Sequence, residues 1–117
     1  MRLLCLVSFE PHTLAALSPT EKAALTRNSL AYNDELTRNN HYITAEALQP
    51  VGTARTVRVR QGKALVTDGP FAETKEVVGG FILIEAADMN QALEIAAGIP
   101  LAKLGSIEVR PIMKITV

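Results

Sequence analysis

Apolar residues run almost without interruption from Leu3 to Val7 and again from Phe81 to Ile84. The first run predicts a central strand over residues 2–9, because near-continuous apolar character suits burial on both faces. The second predicts a strongly apolar strand over 81–85, preceded by Gly79-Gly80. Between them, Thr53 to Arg60 alternates, with Val57 and Val59 on one face and Thr56, Arg58 and Arg60 on the other. Gln61-Gly62-Lys63 reads as a compact turn, with Gly62 available for positive φ, and Ala64 to Thr67 returns antiparallel. Alternation resumes from Ile107 to Val117, where Pro111 predicts an edge position or a bulge. Residues 41–52 predict an irregular connection, with a short strand near Tyr42-Ile43-Thr44.

Two stretches follow a helical period instead. Ser18-Pro19-Thr20-Glu21 is a helix start: Ser18 caps, Pro19 suits the first position and Glu21 closes a capping box. Leu25, Ser29, Tyr32 and Leu36 then share a face up to about Arg38, and Asn39-Asn40 ends the helix in a conformation Asn tolerates. Asp88, with Gln91 three residues on, caps a second helix whose apolar face is Met89, Ala92, Leu93 and Ala96. Gly98 and Pro100 stop it. Leu101 to Gly105 reads as a loop, and His12 follows Glu10-Pro11 in a loop just after the first strand. The order β-α-β-β-β-α-β, with the small hairpin set aside, predicts an α+β ferredoxin-like sandwich with an added β-hairpin and both helices on one sheet face. The other face would carry Val57 and Val59, or their alternating partners, and part of Phe81–Ile84. Such a face on a small domain is expected to be covered by a second copy, giving a homodimer with sheets face to face, a dimeric α/β barrel.

Composition narrows the function classes. The 117 residues fit one domain, and 48% apolar content argues against disorder. Lys+Arg and Asp+Glu are both 12, so direct nucleic-acid binding is not expected. The lone Cys5 rules out an internal disulfide and fits a reducing, cytoplasmic compartment. No Cys/His spacing for zinc, phosphate loop, dinucleotide fingerprint or Ser-His-Asp order is present, so neither metal nor cofactor is expected. The apolar run after Arg2 ends at Glu10 without a cleavage site, and nothing approaches the length of a membrane span.

One segment stands out from this pattern. Thr67-Asp68-Gly69-Pro70-Phe71-Ala72-Glu73-Thr74-Lys75-Glu76 holds four charged side chains, an aromatic and a Gly-Pro turn between two apolar runs. Together with Gly79-Gly80-Phe81 and Gly105-Ser106-Ile107-Glu108-Val109-Arg110-Pro111, it resembles the YCII-related family in its DGPF-domain branch. Leu17-Ser18-Pro19 and Thr56-Val57-Arg58-Val59-Arg60 extend the resemblance over essentially the whole chain. The resemblance implies a small dimeric α/β barrel with a ferredoxin-like protomer. It also implies two kinds of role: acid–base chemistry on a His-Asp pair, or association with an alternative sigma factor. Related barrels bind small organic molecules inside, an analogy of fold alone.

The candidate residues each carry two readings. Asp68 is a base or orienting carboxylate at a pocket, or the turn residue of Asp68-Gly69-Pro70; a carboxylate held by backbone donors favours binding over proton abstraction. Phe71 is a ligand wall or a plug under its own loop, and the plug is favoured. Glu73 and Lys75 pair on a solvated face, or Lys75 holds a substrate carboxylate. Arg58 and Arg110 are anion ligands if they face the barrel and solubilising residues if they do not. Tyr32 is a hydrogen-bond donor to a ligand. His12 and His41 lack an Asp nearby in sequence, and the first long helix has no His, which weakens a transferred His-Asp dyad. A His12–Asp68 contact is the weak remaining form of it. Cys5, in a buried strand, reads as a small hydrophobe. A small organic ligand near the motif is therefore the leading expectation, with a sigma-factor contact as the alternative.

Overall fold

The computed structural model describes residues 1–117. Its elements in order are β1 (Arg2–Phe9), α1 (Pro11–Ala15), α2 (Pro19–Arg38), β2 (Tyr42–Ala47), β3 (Arg55–Arg60), β4 (Lys63–Asp68), β5 (Val77–Glu85), α3 (Met89–Gly98) and β6 (Ser106–Pro111). Short 3-10 turns lie at Val51–Thr53 and Pro100–Lys103. Four strands form one sheet in the order β2-β5-β1-β6, with every neighbouring pair antiparallel. This is the expected ferredoxin-like α+β arrangement, and β1 is central as its apolar run predicts. Strands β3 and β4 form a separate two-stranded sheet between β2 and β5 in the chain.

Register explains how the sheet divides its residues. One face carries the rows Ala45–Ile82–Cys5–Val109 and Ala47–Gly80–Val7–Ile107, with Ile84 beside Leu3 in the next row. Leu3, Cys5, Val7, Ile82 and Ile84 are buried there, together with Leu36 of α2 and Ala92, Ile95 and Ala96 of α3. The opposite face carries the rows Glu46–Phe81–Leu6–Glu108 and Thr44–Leu83–Leu4–Arg110. Each row has an apolar centre and polar ends, and no helix covers it.

The helix ends follow the expected chemistry. Glu21 N–H donates to Ser18 Oγ at 3.1 Å, and Ser18 N–H donates to Glu21 Oε1 at 2.9 Å. Gln91 N–H donates to Asp88 Oδ1 at 2.8 Å. Asn40 ends α2 with φ 62°, the left-handed conformation Asn tolerates. The hairpin turn uses Gln61 at φ 51° and Gly62 at φ 73°, two positive values as a tight two-residue turn requires.

Five expectations are corrected. The alternating segment Arg55–Arg60 is not part of the main sheet, so Val57 and Val59 do not lie on its open face. Tyr42–Ala47, read as mostly irregular, is a six-residue edge strand instead. Residues 11–15 form a short helix rather than loop, and the last strand ends at Pro111, not Val117. In α3, Met89, Ala92 and Ala96 face the core as expected, but Ile95 is buried there in place of Leu93, which is 51% exposed.

The molecule is extended and flat. It measures 48 × 47 × 18 Å with a radius of gyration of 16.3 Å, against about 13 Å for a compact chain of this length. Its accessible surface is 8307 Å², whereas a compact monomer of this mass exposes about 6,200 Å².

A candidate ligand cleft beneath the long helix

Helix α2 stands off the sheet at its β2 end, leaving a cleft of about 470 Å³ lined by 20 residues, 13 of them hydrophobic. The cause is side-chain size. Ala45, Ala47, Gly80 and Ile82 of the sheet line it, and the helix above offers Ser29 among its lining residues. Small residues on facing surfaces cannot fill the space that interiors normally pack to high density. Leu25 and Leu30 of α2, Ile99, Leu101, Phe9 and Leu14 contribute further apolar lining.

Glycines in the lining have a steric reason. A Cβ on Gly79 would occupy the ring of Phe9, and one on Gly80 would lie 2.8 Å from the Glu46 carbonyl oxygen. Gly79 is also where the β1–β5 register slips by one residue, so the pair is a bulge with close strand approach.

Polar groups reach the cleft from one helix face. Ser29 and Asn33, one turn apart, line it. Neither side chain takes part in the chain's internal hydrogen bonds. Tyr32 also lines it, but its hydroxyl donates to the Ile95 carbonyl at 2.6 Å and ties α2 to α3. A Cβ on Gly98 would collide with the Tyr32 ring and hydroxyl, so the tyrosine seats over that glycine. Burial first, then the charges of Glu35 and Cys5, push the Tyr32 phenol above its ordinary range. Glu46 is among the lining residues, and its side chain belongs by register to the opposite face with Phe81. A smaller crevice of about 210 Å³ lies between the end of α2 and α3, beside Glu35, His41 and Glu94. His41 is held there by its Nδ1, 2.8 Å from the Glu85 carbonyl. No group of three or more His, Cys, Asp and Glu side chains is arranged to hold a metal ion.

Cys5 lies under this layer with no exposed surface. Burial pushes its thiol from an ordinary 9.0 to about 11. A raised acid stays protonated in the fold after it would ionise in the unfolded chain. Its contribution to stability is complete below pH 9.0 and is lost as pH rises to about 11. Wild type is therefore expected to lose stability across that window, with a shallower loss in Cys5→Ala. Urea titrations at pH 7, 9 and 10.5 measure it. Thiol reagents at pH 8 are expected to modify Cys5 only after unfolding.

The structure distributes the sequence-predicted residues widely. Only Tyr32 lines the cleft. Asp68 ends β4 with its side chain 88% exposed, and its Oδ1 accepts Arg55 Nε at 3.1 Å. Phe71 is 79% exposed, and its carbonyl accepts a hydrogen bond from Arg58 at 3.3 Å. Glu73 and Lys75 are exposed in the loop between β4 and β5, without an ion pair to each other. Arg110 sits on the open sheet face, its Nε 3.8 Å from Glu108 Oε2. His12 is in α1, its Nε2 3.8 Å from Glu10 Oε1, with no contact to Asp68. Among the cleft residues, Asn33, Ala45 and Ala47 were not singled out as candidates by the sequence. Ser29 gave the one available signal, a small polar residue on an otherwise apolar helix face.

No helix is long and apolar enough to cross a membrane. The chain is 46% identical over 67 residues to an uncharacterized protein of Rhizobium meliloti (strain 1021), covering 56% of this chain and 54% of that protein. It thus spans about half the length of that curated relative. The model of the YCII-related domain matches residues 1–116, which include every strand and helix described above. The chain belongs to the YCII-related domain family.

Proposed function

We propose that this protein binds a small, largely apolar organic molecule with one or two hydrogen-bonding groups, in the cleft between α2 and the β2 end of the sheet. The observation that carries the reading is the cleft itself. Its 470 Å³ lies in the range of small-molecule sites, and its apolar lining is interrupted by convergent polar groups, as such sites usually are. Ser29 and Asn33 supply a hydroxyl and a carboxamide that donate to or accept from the ligand's polar atoms. Tyr32 positions α2 and remains protonated at neutral pH, so it is a weak base. That favours binding over proton abstraction in the cleft.

The working unit in this reading is a homodimer. The rows centred on Phe81–Leu6 and Leu83–Leu4 form an apolar stripe that a second sheet would cover. Asp68, Phe71, Glu73 and Lys75 lie outside the cleft lining, so they reach a ligand only at a second site around the β4–β5 loop.

A thermal-shift screen with small aromatic and aliphatic carboxylic acids, alcohols and amides tests the placement. Ala45→Phe fills the cleft, and Asp68→Ala removes the carboxylate of the other location. Stabilisation kept in Asp68→Ala and lost in Ala45→Phe is the expected result. The reverse pattern, or no stabilising compound in the screen, overturns it.

A further inference from the structure

We infer that the β3–β4 hairpin is an arm that docks on a second copy of this chain, an inference that rests on the homodimer reading and extends it. An isolated two-stranded hairpin is marginal in water at best. Its hydrogen bonds outside the ladder stay local, among them Gly69 N–H to Ala54 O at 2.8 Å, Thr56 Oγ1 to Gly69 O at 2.8 Å and Arg58 Nη2 to Phe71 O at 3.3 Å. These bonds and the Arg55–Asp68 ion pair brace the root.

One face of the arm is apolar and uncovered. Register places Val57 opposite Val66 and Val59 opposite Ala64, all on the face that ends in the Arg55–Asp68 pair. Val57, Val59 and Val66 are 61%, 60% and 63% exposed. Chain-wide area points the same way. The 8307 Å² exposed is about 2,100 Å² more than a compact monomer of this mass shows. A standard interface covers only about 800 Å² per partner. Contact through the sheet face alone therefore leaves much of the excess uncovered, and the arm supplies the second patch.

Charge selects the occupant. Arg55, Arg58, Arg60 and Lys63 against Asp68 give residues 55–68 a net charge of +3, and the remaining 103 residues then carry −3. Arg58, Arg60 and Lys63 lie on the face opposite the valines, so this charge acts at long range, repelling arm from arm and steering the arm toward the body of another copy. A second copy of this chain supplies that body.

Sedimentation equilibrium at several protein concentrations tests the inference on wild type, Val57→Asp/Val66→Asp and Leu6→Asp. Wild type is expected to dimerise. Charges in the docked arm should weaken the dimer at least about 100-fold, since they would be buried without partners. At concentrations where both proteins are monomeric, the arm variant should melt as wild type does, because the arm makes few contacts with the other elements of its own chain. A monomeric wild type overturns both the homodimer and the arm. A dimer lost in Leu6→Asp but fully retained in the arm variant overturns the arm alone. Filtered NMR on a mixture of labelled and unlabelled wild type needs no variant: intermolecular contacts from the Val57 and Val66 methyls support the inference, and a dimer lacking them refutes it.

Discussion

Ile84→Ala is expected to lower the free energy of unfolding by about 2–5 kcal/mol, as truncation of a fully buried aliphatic side chain does. Ile84 has no exposed surface and belongs to the one buried cluster that joins sheet, α2 and α3. It lies in β5 with β1 on one side and β2 on the other, so its neighbours cannot collapse into the space without moving strands. The cluster holds only 11 buried residues, so a single deletion removes a large share of it. Typical domains have about 5–15 kcal/mol to lose. A urea titration measures the effect as a lower midpoint with an unchanged slope. Ile115→Ala is the control: this isoleucine is 84% exposed in the segment after β6, and its loss should be within about 0.5 kcal/mol in a monomer.

Gly105→Ala should cost about 3 kcal/mol, the upper range for inserting a methyl group into a packed site. A Cβ at this position runs into the carbonyl oxygen of Ser8 and lies 3.0 Å from Phe9 Cβ. Neither is the tip of a flexible side chain, so β1 or β6 must shift where Ser8 pairs with Ser106. Gly52→Ala is the matched comparison, because nothing lies within 4 Å of its Cβ position. It should be neutral or slightly stabilising through the unfolded chain. Phe9 also lines the cleft, so Gly105→Ala should weaken ligand stabilisation as well, read in the same thermal-shift screen.

Much of the fold was legible because short-range chemistry dictates it. Ser18-Pro19-Thr20-Glu21 and Asp88 with Gln91 start helices by satisfying backbone donors that lie within three residues, and both caps form. The Leu3–Val7 run marks a central strand because alternate side chains in it face both sides of the sheet. Pro111 marks an edge because it has no N–H to donate, and β6 is an edge strand. Thr53–Arg60 shows the limit of this kind of reading. Its alternation says that the segment has two faces, but not which strand it pairs with. The main-sheet edge went instead to Tyr42–Ala47, whose pattern is weaker and whose place depends on pairing with β5 nearly forty residues away.

The candidate site was less legible for a related reason. The conspicuous segment Thr67–Glu76 is rich in chemistry-bearing side chains, yet it is the end of β4 and the exposed connection to β5. The cleft arises where side chains are small, at Ala45, Ala47, Gly80 and Ser29, and a missing volume has no motif. By itself, the sequence determined most element types, the caps of the two longer helices, the central place of β1 and the membership of this family. Only the tertiary structure decided that Arg55–Asp68 stands apart as an arm and that α2 leaves a cleft over β2. The physical reason is range: caps, turns and periodicity are set by neighbours in the chain, whereas pairing partners and unfilled space are set by residues that meet only after folding.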